Sequence, residues 1–424
     1  MRHRLVPLRR LVVAGVALAL MTAGVCVPTV TASAASSQRG PATGTFDPAP
    51  MRGLLSRLPD PVVAGAVIRV AGGDQAPSWS GTAGGVSRGA HFRIGSVTKI
   101  FTSTIVLQLA AERRIALEAP VRCYLPALIP ASYGNVTVHE LLDHTSGLPA
   151  PAGVPGPADG PGWWRESVSP RDVVRKAFAA AASKGAGQPP KPGSVQQYNG
   201  VNTFVLGLLV ERVTGHTFTN ELTRRIIGPL GLHHTSLPRP DDMSIPTPHA
   251  RGYVGVDEVS EQSPWAWAEG GIISTTADLD RFMTALFRGR LLPPAQQKLA
   301  FTVPDVPSAP TNTNCINKVS CLSAGGLMRI TLDNGATVWG KTGSLPGWTN
   351  GLFTTRDLKR RVVYSLNPTG TASERPYVLA VLNATFEPSV QGRRGAAPSG
   401  GAPSTEGSAA LRSPTNRLEE SHSR

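Results

Sequence analysis

Between residues 96 and 114 the apolar positions recur at helical spacing. Val97, Ile100, Phe101, Ile105 and Leu109 fall on one stripe and predict a helix that opens at Ser96. The same period predicts helices over residues 201–214 and 277–288. Residues 61–70 are largely β-branched and apolar, the mark of a buried strand. A glycine-rich turn and a second short strand follow, up to Phe92. From Gly325 to Ala384 apolar segments and turns succeed one another and predict three or four strands, with Asp333-Asn334-Gly335 as one hairpin turn. The stretch between, residues 115–275, reads as helical fragments joined by Pro and Gly loops. Strands at both ends with helices between predict an α+β fold. Both ends of the chain would build one antiparallel sheet flanked by helices, with an all-α subdomain (115–275) inserted beside it and a groove between the two parts.

The termini depart from this pattern. Arg2, Arg4, Arg9 and Arg10 precede an apolar stretch over residues 11–27, and Ala32-Ser33-Ala34 is a small-x-small cleavage site. Residues 1–34 are therefore expected to be a signal peptide, giving an exported product. The apolar stretch is shorter than the roughly 20 residues of a membrane span, so no stable span is expected after cleavage. A Ser/Pro/Gly-rich linker is expected over residues 35–54, a folded domain over 55–386, and a disordered tail over 387–424.

The formal net charge is +14 over 424 residues. The first 35 residues and the tail carry part of this excess, and the rest is dispersed without a basic run or interleaved aromatics. That dispersal speaks against a nucleic-acid partner. Of the cysteines beyond the signal, Cys315 and Cys321 flank a short loop they could close. Cys123 is then a lone thiol, expected to be buried. No CxxC pair or Cys/His ligand spacing occurs, and His139 and His144 are five apart, on different sides of a helix. No metal and no cofactor is expected.

Three places carry nucleophile chemistry. Ser96-Val97-Thr98-Lys99 puts a hydroxyl and an amine on one helical face, where the amine can take the proton or hold a network beside it. The helix amino terminus adds positive potential. Alone the pairing is weak, since chance supplies about 0.6 such pairs in this composition. Lys341-Thr342-Gly343 is expected by chance only about 0.07 times, and it lies in a strand whose edge could offer N–H groups to an oxyanion. It would equally suit a turn with a solvated lysine. Tyr198, held between Lys99 and Lys341, would ionise more easily than a free phenol and serve as a base, although a lone Tyr is more often a core residue. A literal GxSxG, Gly85-Val86-Ser87-Arg88-Gly89, lacks the strand–helix context that an esterase elbow needs and reads as a surface turn.

Taken together, these segments resemble the serine β-lactamase and penicillin-binding superfamily, and are most similar to secreted serine D-Ala-D-Ala carboxypeptidases and class C β-lactamases. The likeness spans residues 55–385. It rests on the segment from Phe92 to Lys99, on Val136 to Pro149, on Trp267 to Leu279, and on Lys341-Thr342-Gly343-Ser344 followed by Gly347. The resemblance implies Ser96 as nucleophile, Tyr198 and Lys99 sharing acid/base work, and Lys341, Thr342, Gly343 and Ser344 supporting the substrate. Backbone N–H groups of Ser96 and Ser344 would form the oxyanion hole. No glutamate for deacylation is identifiable, and Trp267 would line the groove. The departure is the second box. The family's Tyr-x-Asn reads Tyr198-Asn199-Gly200 here, and Asn199 would have to stand in as the substrate's amide anchor. The implied substrates are peptidoglycan stem peptides ending in D-Ala-D-Ala, or β-lactams; an esterase and a non-catalytic penicillin-binding sensor remain open.

Overall fold

The computed structural model describes residues 46–73, 78–183, 190–315, 318–370 and 372–386. The expected signal peptide, most of the expected linker and the tail over 387–424 lie outside them. In chain order the first elements are α1 (Ala49–Leu55), β1 (Val63–Gly72), β2 (Trp79–Ala83), β3 (Phe92–Arg93), α2 (Thr98–Ala111), α3 (Val138–Leu142), α4 (Pro170–Ser183), α5 (Gly200–Thr214), α6 (Phe218–Leu222) and α7 (Gly228–Leu230). Then come β4 (Tyr253–Val254), β5 (Asp257–Glu258), α8 (Trp267–Gly270), β6 (Ile273–Ser274), α9 (Thr276–Phe287) and α10 (Pro294–Ala300). The chain closes with β7 (Met328–Thr331), β8 (Thr337–Leu345), β9 (Trp348–Thr355), β10 (Arg360–Pro368) and α11 (Arg375–Phe386).

Six strands form one antiparallel sheet in the order β2-β1-β10-β9-β8-β7. The first long strand and the last lie side by side, so both ends of the chain close the sheet, as the sequence pattern implies. Its two faces follow the two-residue period of a strand. Ile68 and Val70 of β1, with Val362, Tyr364 and Leu366 of β10, pack with Met51, Leu54 and Leu55 of α1 and with Val381, Leu382 and Phe386 of α11. Val67 and Val363 point the other way, into the larger core built on α2, α5 and α9. On that face Asp280 of α9 accepts from Arg69 at 3.1 Å and from Arg361 at 2.7 Å, tying helix to sheet.

Two helices are buried on every side because they run through the interior. α2 buries a continuous run from Thr98 to Leu107, and α5 one from Gly200 to Val210. α5 starts where Asn199 caps Val201 N at 2.9 Å and stops at Gly215 in the left-handed region, φ 76°. α3 opens with a capping box between Thr137 and Glu140.

Three expectations need correction here. The linker ends earlier than residue 54, because α1 already belongs to the core: Met51 is fully buried against the sheet. Residues 375–386, expected within the strand succession, are helical, since the face left open by the sheet needs a second covering helix beside α1. Cys123 lies in a short 3-10 turn with its thiol exposed, whereas Cys315 and Cys321 do form the disulfide. Among the described residues, no helix is long and apolar enough to cross a membrane.

Candidate active site

Ser96 sits in a 3-10 turn, Gly95–Val97, that leads into α2. The approach to it is fixed on all sides. β3 pairs with β6, Ile94 N donates to Ile272 O at 2.9 Å, and the buried Arg93 guanidinium donates to Met243 O at 2.7 Å. Asn350 of β9 donates to Arg93 O at 2.8 Å. Gly95 has φ 53°, and a Cβ there would stand 2.6 Å from Ser344 N, so only glycine lets the turn press against β8. Gly343 serves the same approach, since its Cβ would stand 3.0 Å from Ser96 N. Beyond Gly340, β8 is no longer paired with β7, which leaves the stretch holding Thr342 and Ser344 beside the Ser96 turn, with Thr342 half-buried, its hydroxyl on Met328 Sδ at 3.7 Å, and Ser344 exposed.

Around Ser96 Oγ three of the sequence-derived residues converge. Lys99 Nζ donates to it at 3.0 Å and Tyr198 OH donates at 2.8 Å. Lys341 Nζ lies 4.8 Å from the centre of the Tyr198 ring, and Lys99 Nζ 5.1 Å from it. Behind Tyr198 stands His144, fully buried, with ring centres 4.9 Å apart. His144 Nδ1 accepts from Asn199 N at 3.2 Å, and burial followed by the two lysine charges pushes its pKa down to about 3. It is a neutral prop for the phenol.

A carboxylate outside the sequence-derived set completes the cluster. Glu269 of α8 brings its carboxylate into direct contact with Lys99 Nζ, and its backbone oxygen accepts from the same amine at 3.0 Å. Burial opposes the Lys99 ammonium, yet the Glu269 carboxylate and Tyr198 together outweigh it and hold Lys99 above its usual value. Lys341, equally buried but without a touching carboxylate, is pushed down to about 7 by burial and then by Lys99. Tyr198 reverses the expectation. Burial, joined by Glu269, raises its pKa against the pull of Lys99, so the phenol stays protonated at neutral pH and donates to Ser96.

Two expected substrate contacts are elsewhere. Asn199 is turned into the protein: its Oδ1 caps α5 and its Nδ2 donates to Leu148 O at 2.7 Å and to Pro149 O at 3.0 Å. Trp267, with φ 41°, packs behind α5 against Gly207 and Phe218, and lines a separate cavity of about 440 Å³ with Leu208 and Trp265. Ser87 is exposed in a turn after β2. Tyr133 of the literal Tyr133-Gly134-Asn135 packs on Phe178, 5.0 Å between ring centres, away from Ser96.

The family model described as Beta-lactamase matches residues 52–385. The penicillin-binding protein 4 of Amycolatopsis lactamdurans is 31% identical over 215 residues, 48% of this chain and 52% of that protein. The esterase EstB of Burkholderia gladioli is 29% identical over 241 residues, 46% of this chain and 56% of that protein. The chain thus spans about half the length of the curated relatives it matches. A D-stereospecific amidohydrolase from Streptomyces sp. is 30% identical in sequence and superposes with a TM-score of 0.69 over 80% of this chain and 99% of that one.

Proposed function

The chain belongs to the beta-lactamase family of serine hydrolases, and from that premise we propose that it works through an acyl-enzyme formed on Ser96. The observation that carries this reading is the double donation of Lys99 Nζ and Tyr198 OH to the one partly exposed hydroxyl, Ser96 Oγ. Acylation needs the Ser96 proton to leave. Lys99 and Glu269 act as a unit: Lys99 passes a proton to the Glu269 carboxylate as it takes the one from Ser96. Ser96 Oγ bonds to the substrate carbonyl carbon, and the N–H groups of Ser96 and Ser344 hold the oxygen that gains charge. The protonated phenol of Tyr198 gives its proton to the leaving atom as that bond breaks, and the pair restores it. Water then attacks the ester, one of its protons follows the same route, and Ser96 is released.

The leading substrate class is a peptide ending in D-Ala-D-Ala, or a β-lactam presenting the same kind of amide. Its support is the likeness to the Amycolatopsis penicillin-binding protein and the half-buried Thr342 and exposed Ser344 beside buried Lys341, a pattern suited to a terminal carboxylate. A second reading, an unpeptidic D-amino acid amide or an ester, is favoured by the loss of the second-box amide at Gly200 and by the likeness to the Streptomyces amidohydrolase. On the strength of residues 1–34 the enzyme is an exported one. Intact mass followed against time after adding a penicillin is the test. An adduct that persists, absent in Ser96→Ala, means an inhibited peptidase. One that vanishes while the drug is consumed means a β-lactamase. No adduct and no hydrolysis moves the assignment to the second reading.

A further inference from the structure

Gly200 and Glu269 are two halves of one feature. A Cβ on Gly200 would stand 3.0 Å from Glu269 Oε1 and 3.4 Å from its Cδ, so the carboxylate fills the space that a side chain at position 200 would claim. Glu269 arrives from α8, its side chain 17% exposed. Its two oxygens differ. Oε1 meets Lys99 Nζ, while Oε2 accepts no hydrogen bond from any described residue. The amide side chains at this end of α5 are engaged, Asn199 by backbone groups at its oxygen and its nitrogen, Asn202 by Ser146 and His144. The surface between Ser96 and the start of α5 therefore offers an acceptor, and no side-chain amide donor from positions 199 or 200.

A carboxylate only accepts hydrogen bonds. It rewards N–H donors, most of all a cation, and repels a carbonyl oxygen, and a charge-assisted contact is about twice as strong as a neutral one. Glu269 stands one lysine amine away from Ser96 Oγ. With Lys99 Nζ 3.0 Å from Ser96 Oγ and in direct contact with the carboxylate, the carboxylate stands about two hydrogen-bond lengths from Ser96 Oγ at most, a span that a charged group on the carbon next to a bonded carbonyl could bridge. Lys99 engages one carboxylate oxygen and leaves the other, and Lys341, pushed down to about 7, adds less than a full opposing charge at neutral pH.

We propose that the Gly200–Glu269 pair selects acyl donors with a free α-ammonium group, unblocked aminoacyl esters, amides or peptides, over the same donors carrying an N-acyl group. This rests on the acyl-enzyme reading of Ser96 and favours the second of the two substrate classes above, since the acyl-donating D-Ala of a stem peptide carries an N-acyl group. An N-acyl group replaces three charged N–H donors by one neutral donor and brings a carbonyl oxygen towards the carboxylate.

The test compares D-alanine benzyl ester with N-acetyl-D-alanine benzyl ester by kcat/KM, with p-nitrophenyl acetate as a reporter of the acyl-enzyme alone. The unblocked ester should be preferred by about 10-fold or more. The preference should fall about 10-fold in Glu269→Gln, whatever happens to the overall rate, and drop below one in the double variant Gly200→Asn/Glu269→Ala, which exchanges the acceptor for an amide donor. A wild-type ratio at or below one overturns the proposal even if no variant folds. So does an unchanged ratio in Glu269→Gln, and so does turnover of p-nitrophenyl acetate with neither alanine ester consumed. Acetate turnover that is absent, or that survives Ser96→Ala, overturns the acyl-enzyme reading and this proposal with it.

Discussion

Lys99 and Lys341 are both 1% exposed and both face the Tyr198 ring, yet their protonation is driven in opposite directions. Lys99 stands on the helical wall of the site, in the first turn of α2, where α8 brings Glu269 against it. Lys341 stands on the sheet wall, in the middle of β8, where its amine donates to Thr342 O at 2.9 Å. Burial pushes both amines towards the neutral form; a touching carboxylate reverses this for one of them. The helical wall thus holds a fixed ion pair next to the nucleophile, and the sheet wall a lysine poised to change charge near neutral pH. Depth of burial alone does not assign a role to either.

The comparison presumes that both walls serve one hydroxyl. Ser96→Ala should therefore abolish the covalent adduct with a penicillin or an activated ester and lower hydrolysis by about 10³-fold or more, read by intact mass and by kcat/KM. Retained turnover would separate the two lysines from catalysis altogether. The next effect falls on the difference itself. Glu269→Gln should lower kcat/KM for p-nitrophenyl acetate by about 10²-fold. It should also cost about 3 kcal/mol of stability at pH 7, because it leaves a buried amine without its partner. The Lys99 resonance, followed by NMR of labelled lysine, should then titrate below its usual value, as Lys341 does.

Stability against pH separates the walls by sign. The native pKa of Lys341 is about 7 and its ordinary value is 10.5, so between those limits only the unfolded chain binds the proton. Stability should rise there with pH, by about 1.4 kcal/mol per unit at most from this group. The advantage of Lys341→Met over wild type should accordingly be largest below pH 7 and shrink towards pH 10, in denaturant titrations at each pH. Lys99 has the opposite sign. Its contribution is complete below 10.5 and is lost only as pH climbs through its raised native value. Lys99→Met should be destabilising throughout the neutral range.

Much of this was legible before any coordinates. Ser96 and Lys99 are three apart, and Lys341 is one of only eight lysines, so local spacing and rarity identify both walls. The sheet was legible too, because β1 and β10 are buried on both faces and need no alternation to stand out. What escaped depends on distant partners. α1 and α11 cover one sheet face jointly, and neither shows in its own sequence what it packs against. Glu269 lies 170 residues from Lys99, so no spacing rule connects them. Gly200 marks the space that its carboxylate fills, but nothing in the sequence says which side chain fills it. Asn199 carried a readable sign of its own: an Asn just ahead of an apolar helix caps it, and a side chain used in that way does not also bind substrate. For the phenol of Tyr198 the two cations are visible in the sequence, whereas its burial, and after it the Glu269 carboxylate, which together raise its pKa, come from the fold.

The smallest expected effect bears on the sheet wall alone. If Lys341 supports the carboxylate of a substrate, binding of a carboxylate-bearing donor should weaken as the lysine loses its charge, through pH of about 7. A donor identical but for a methylated carboxylate should show no such change, because the contact that titrates is missing from it. The predicted difference is a rise of about 5- to 10-fold in KM between pH 6 and pH 8.5 for the acid, against a flat profile for the ester, the size of one charge-assisted contact. Measuring both in the same buffers cancels any titration shared through Lys99 or Tyr198, since those groups act on the bond being broken in either compound. Parallel profiles would mean that Lys341 tunes the phenol rather than the substrate, and the sheet wall would then differ from the helical one in charge but not in purpose.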